Sequence, residues 1–231
     1  MTERDGLISF ADGVWLTAAP VSFLGLRLTA TMTVVRLPGG GLLVHSPVAL
    51  TPARRAQVDA LGPVQHLYVP NLFHHRWIGE WAAAYPAARV HAPAGLARKR
   101  RDVRVDRLHG EGIEPAVAGT IDELPIDGFR VAETALLVRP ARTLVVADLI
   151  HNVGRPAHGW TAAYTRLMGF HDRVALSRVI RWTGFSDRPA ARRALDHLLA
   201  QDFDRLVVGH GEPLATGGKA ALAAGYAWLG A

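Results

Sequence analysis

Two apolar runs around a glycine-rich turn constrain this chain most. Thr31 to Leu37 alternates, Pro38-Gly39-Gly40-Gly41 follows, and Leu42-Leu43-Val44-His45 resumes the apolar pattern. That layout predicts a β-hairpin. Phe129 to Val138 and Thr143 to Ala147 flank Arg139-Pro140-Ala141-Arg142 in the same way. Hairpins are antiparallel pairs, which argues against a doubly wound parallel sheet. Each β-rich half is followed by helical stretches, and each sheet must bury a face. The fold class that satisfies this is α/β (α+β): an αββα sandwich of two mixed sheets with helices on the outer faces.

The remaining pattern fills in that frame. Gly13 to Thr17 reads as a strand. Thr51-Pro52 supplies an N-cap and a proline at the first helical position, and the helix stops at Gly62-Pro63. A strand over 66–70, a helix over 78–85, a strand at Arg89-Val90-His91 and a short helix near 94–101 come next. Leu195, Leu198, Leu199 and Phe203 share one helical face. Arg205 to Val208 is a last strand, and Gly218 to Leu229 a last helix. With no repeat or long linker, residues 1–231 are expected to form one domain.

Bulk composition removes several function classes. The chain has no cysteine, so disulfides and thiol nucleophiles are excluded and any metal must take N and O ligands. No apolar run approaches the ~18–20 residues that span a bilayer. The charged start, Met1 to Gly6, lacks the apolar stretch of a signal peptide, so a cytoplasmic location is expected. The net charge of +6 is carried by 24 Arg and 2 Lys, and the segment from Arg98 to Arg107 holds +4 of it. Nucleic-acid binding is a conceivable use of that run, but no aromatic interleaves it, and a solvated helix end explains it as well. The expected partner is a small-molecule substrate; oligomeric state is not readable.

The chemistry-bearing residues lie where apolar runs end. Pro70-Asn71-Leu72-Phe73-His74-His75-Arg76-Trp77 follows the run His66 to Val69. Adjacent histidines diverge on a helix and oppose one another on a strand, so His74 and His75 serve one metal only from an irregular turn. Otherwise one of them faces the site, or neither does. Asp148 closes Leu144-Val145-Val146-Ala147, where an unpartnered carboxylate would cost several kcal/mol. It needs a cation or donors, unless it is exposed and caps a turn with Asn152. His210 stands between Gly209 and Gly211, which permit close backbone approach. Glu133 interrupts an apolar stretch and faces either the same region or solvent. Gly-x-Ser-x-Gly, dinucleotide and Walker-type loops are absent, so no organic cofactor is expected.

At these residues the chain resembles the metallo-β-lactamase-like hydrolase superfamily, and more closely an uncharacterised branch of it. The likeness runs through Gly13-Val14-Trp15, Thr33 to Leu37, Leu43 to Pro47, Asn71 to His75, Ala92 to Leu96, Asp148 and Gly209-His210-Gly211. It implies a one- or two-metal site holding zinc, iron or manganese between the sheet edges. Asp148 is similar to the superfamily's bridging aspartate and His210 to its final histidine. The main motif, His-x-His-x-Asp-His, is not met. One register puts Asn71, Phe73, His75 and Arg76 at its four positions, and another puts His74 at the second histidine. The resemblance therefore implies an altered ligand set drawn from His74, His75, Glu133, Asp148 and His210, with Asp148 orienting the nucleophile. The function implied is a metal-dependent hydrolase of a small ester or lactone. The alternative is a scaffold without catalysis that binds a ligand or partner.

Overall fold

The computed structural model describes residues 4–112 and 117–230. A seven-stranded sheet is built in chain order from β1 (Arg4–Ala11), β2 (Val14–Phe23), β3 (Leu26–Arg36), β4 (Leu42–His45), β5 (Val64–Tyr68), β6 (Arg89–Ala92) and β7 (Arg107–Leu108). The first four are antiparallel neighbours and the last four pair in parallel. The second sheet runs in the order β11 (Arg205–Val207), β10 (Thr143–Val145), β9 (Thr134–Val138) and β8 (Ile121–Pro125). Only its β10–β11 pair is parallel. Both sheets are mixed, as expected from two hairpin signals followed by crossover helices.

Alternation along the strands explains the layers. In β9, Leu136 and Val138 face inward and meet Val14, Leu16, Val35 and Leu43 of the first sheet. Leu137 faces outward with Leu144 and Leu206, against Ala191, Leu195 and Leu198 of α6 (Arg188–Ala200) and Leu222 of α7 (Gly218–Gly225). On the other side, Met32, Val34, Val44, Leu67 and Val90 pack against helices. Those are α1 (Pro52–Leu61), α2 (Ile78–Ala84) and α3 (Leu96–Lys99), through Val58, Ile78, Trp81 and Leu96. The order is helix, sheet, sheet, helix. Each such side chain contributes about 1.5–3 kcal/mol when buried, and a one-residue slip of β9 would exchange its two faces, so register is tightly held. Two further helices, α4 (Gly159–Leu167) and α5 (Arg178–Thr183), precede α6.

Local signals held at the caps. Thr51 accepts from Arg54 N at 3.2 Å and Pro52 opens α1. Asp187 does the same for α6, accepting from Ala190 N at 2.9 Å. Two expectations need correction. The strand read over 129–138 begins only at Thr134, because Ala132 sits at φ +54° and Arg130 N turns away to Gly184 O. The helix read over 94–101 shrinks to Leu96–Lys99, since Arg100 leaves helical geometry to bond the 75–76 main chain. No described helix is long and apolar enough to cross a membrane.

Candidate metal centre

Strand ends supply the site. Asn71 and His74 follow β5, Glu133 immediately precedes β9, Asp148 follows β10, and His210 follows β11. The 70–77 stretch is neither helix nor strand but a run of bends and turns. Asn71 shapes it: its Oδ1 accepts from Phe73 N and His74 N, both at 2.9 Å. That turn separates the adjacent histidines. His74 points into the molecule and His75 does not join it.

Three side chains converge. His74 Nε2 lies 3.3 Å from His210 Nε2 and 3.5 Å from Asp148 Oδ1, and His210 Nε2 lies 3.3 Å from the same Oδ1. One ligand atom from each fits within 4.8 Å of the others. The opposite edges of both rings are anchored. His210 Nδ1 donates to Thr29 O at 2.7 Å; a carbonyl only accepts, so the proton belongs on Nδ1 and the Nε2 lone pair faces inward. His74 Nδ1 shares a 2.8 Å hydrogen bond with Ser46 Oγ, and Ser46 sits at φ +52°.

Glycines let these parts approach. A Cβ on Gly209 would come within 2.7 Å of Ala147 O and 2.9 Å of a His74 ring carbon. One on Gly211, at φ +113°, would sit 1.9 Å from Asn152 O. The two sheets are laced here by Thr31 N donating to Gly209 O at 2.9 Å.

Glu133 stands behind Asp148 and is almost wholly buried. Its Oε1 accepts from Ala147 N at 2.8 Å and Leu149 N at 3.2 Å, and its Oε2 from Asp148 N at 2.7 Å. Asn71 Nδ2 completes the set, donating to Glu133 Oε2 at 3.0 Å and to Asp148 Oδ2 at 2.9 Å. Asp148 thus has one oxygen tied and one, Oδ1, turned to the histidines. It is buried rather than an exposed turn cap, and Asn152 bonds Glu212 O instead.

Charge follows from these contacts. Burial works against an ionised Asp148, but the His74 and His210 rings beside it bring its pKa well below the usual value. Burial would also lower His210, and the Asp148 carboxylate overcomes that and raises it. Glu133 is raised by burial and by the Asp148 charge, against the pull of the main-chain N–H groups and Asn71.

Of the five residues singled out, His74, Asp148 and His210 meet; His75 and Glu133 do not point into the cluster. The His75 carbonyl accepts from the Arg100 guanidinium, and its ring, half-buried, is lowered by burial and by Arg100 and Lys99. The basic run is stitched to the same loop. Lys99 Nζ donates to Leu72 O at 3.1 Å, and Arg100 pairs with Asp102 at 2.7 Å. One neighbour escaped sequence reasoning. His151 is 6% exposed, its ring centroid 5.5 Å from that of His210, and burial and the His210 ring lower it to about 4. Its position three residues after Asp148 was the available signal.

Known structures share this arrangement of sheets and helices. A metallo-β-lactamase from Pontibacter korlensis superposes with a TM-score of 0.65 at 12% identity, over 97% of this chain and 98% of the other. The metallo-β-lactamase FIM-1 from Pseudomonas aeruginosa, in a mono-zinc form, gives 0.63 at 11% identity, over 97% and 94%. This chain has the metallo-β-lactamase fold. The metal-soaked flavodiiron core Flv1 from Synechocystis sp. PCC6803 is a further likeness of this fold, with a TM-score of 0.70 at 13% identity, over 99% of this chain and 62% of that one. A family described as a domain of unknown function (DUF4336) matches residues 11–96. None of the curated proteins matches in sequence.

Proposed function

We propose that the protein is a metal-dependent hydrolase in which His74, Asp148 and His210 hold one divalent cation. The observation that carries this is the convergence of two imidazole Nε2 atoms on one carboxylate oxygen, each group oriented from behind. Two imidazoles and a carboxylate are a donor set for zinc, iron or manganese. A bound cation of this kind would acidify water and polarise a substrate oxygen. The chain's own residues supply the rest. Thr29 holds His210 in the tautomer that offers Nε2, Ser46 fixes the His74 ring, and Asn71 keeps Asp148 Oδ1 turned inward. Asp148 is the residue placed to orient the nucleophile. A small ester or lactone is the substrate class proposed.

One observation favours a second reading, a ligand-binding scaffold without catalysis: His74 alone of the 70–77 stretch joins Asp148 and His210, and the His-x-His-x-Asp-His pattern is not met there. Metal analysis of tag-free protein separates the two, with Asp148→Ala and His210→Ala alongside. About one equivalent in the wild type, lost in both variants together with metal-dependent ester or lactone cleavage, is the expected result. No metal in the wild type and unchanged stability in the variants would leave the scaffold.

A further inference from the structure

Glu133 and Asp148 bring two carboxylates to one buried place, and the Asn71 amide stands between them with no solvent exposure. Its single nitrogen donates one hydrogen to Glu133 Oε2 at 3.0 Å and the other to Asp148 Oδ2 at 2.9 Å. Its oxygen is spent on Phe73 N and His74 N. Neighbouring buried carboxylates ordinarily require a cation, a shared proton or several donors. Here a neutral NH2 group bridges them, on the side of Asp148 opposite the oxygen that faces the histidines. No lone pair in the Asn71–Glu133 pair is left pointing at an ion.

We propose that the Asn71 amide stands in for a second cation, holding the protein to one metal, and that Asn71→Asp opens a second metal position. This rests on the reading of His74, Asp148 and His210 as a cation site. The substitution is nearly isosteric. One oxygen still accepts from Phe73 N and His74 N, so the turn that aims His74 survives. The other replaces the bridging donor and leaves three carboxylates, from positions 71, 133 and 148, around a point that N–H groups now occupy. An all-oxygen, strongly anionic set suits a hard ion such as Mn2+, whereas two imidazoles and one carboxylate suit zinc equally well.

The test is Mn2+ titration and metal analysis of the wild type and Asn71→Asp, with thermal melting in chelator and in Mn2+. One equivalent is expected in the wild type and two in the variant. The variant's melting temperature should fall below wild type in chelator and recover with Mn2+. A wild type that takes two equivalents overturns the proposal, as does a folded variant that takes no more than the wild type. Failure of the variant to fold even with Mn2+ counts equally against it. If the wild type binds nothing, the three-residue site fails by itself; the role of Asn71 then stands if the variant gains an equivalent and falls if it does not.

Discussion

His210 and His45 are both enclosed imidazoles near a strand end, but their surroundings differ in one respect. His210 has a carbonyl on one nitrogen and a carboxylate near the other, and its pKa is raised. His45 has no hydrogen-bond partner on either nitrogen among the described residues, and burial, with His74 and His109 nearby, drives it down to about 3. It belongs to a second histidine group. Tyr68 stacks on His45, His91 and His109 at ring separations of 5.7, 5.9 and 4.6 Å, and His66 Nδ1 meets His91 Nε2 at 2.9 Å. Burial likewise pulls His91 to about 4 and His109 to about 3. Glu123 is taken by the Tyr68 hydroxyl at 2.8 Å, and Asp106 beside His91 does not offset its burial. Only the His74–Asp148–His210 cluster combines a carboxylate in contact with two rings that are each hydrogen-bonded from behind, among the described residues.

Acid should expose this contrast most strongly. In chelated protein, His45, His91 and His109 bind protons when unfolded, near pH 6.5, but not when folded until pH 3–4. Stability is therefore intact above about 6.5 and falls as pH drops toward 4, by up to about 1.4 kcal/mol per pH unit for each histidine. His210 has the opposite sign, since its raised pKa adds stability that is lost as pH rises through it. His66, His75 and His151 are lowered as well, so the lowered histidines outweigh the one that is raised, and urea denaturation should show a loss of several kcal/mol between pH 7 and pH 5. A flat profile would erase the distinction between the two groups.

Removing a buried polar side chain from each group should give opposite results. Glu133→Ala strands the N–H groups of Ala147, Asp148 and Leu149 and one Asn71 hydrogen, at roughly 1–3 kcal/mol apiece. The expected loss is on the order of 4 kcal/mol or more by chemical denaturation; under 1 kcal/mol would show that the network is not holding the strand ends. His45→Leu deletes two nitrogens that have no partner and keeps the volume. Stability should be unchanged or rise by about 1 kcal/mol. A clear loss of stability would mean that His45 has a polar role after all.

Legibility in the sequence followed the same physics. The Pro38–Gly41 hairpin, the Thr51 cap and the sheet-facing side of α6 were readable because each depends on neighbours in the chain. β1 and β8 were not: Arg4–Ala11 opens on Arg4-Asp5-Gly6 and its apolar residues do not alternate cleanly, while Ile121–Pro125 carries Asp122 and Glu123 and is only partly buried. Asp148 and His210 were conspicuous because a polar residue ends an apolar run. The choice between His74 and His75 was closed to sequence, since it depends on a turn set by Asn71. The role of Asn71 depends in turn on carboxylates 62 and 77 residues away, and an amide carries no charge to draw notice.

The His210–Thr29 hydrogen bond spans 181 residues of chain. Its histidine follows the last strand, and its acceptor lies in the third. Loop closure over such a separation comes late and slowly in folding. A growing or half-folded chain therefore offers an ion only loose, unaimed donors, and the assembled pocket exists only once both sheets have docked. If the proposed cation binds there, its uptake would report the final step of folding.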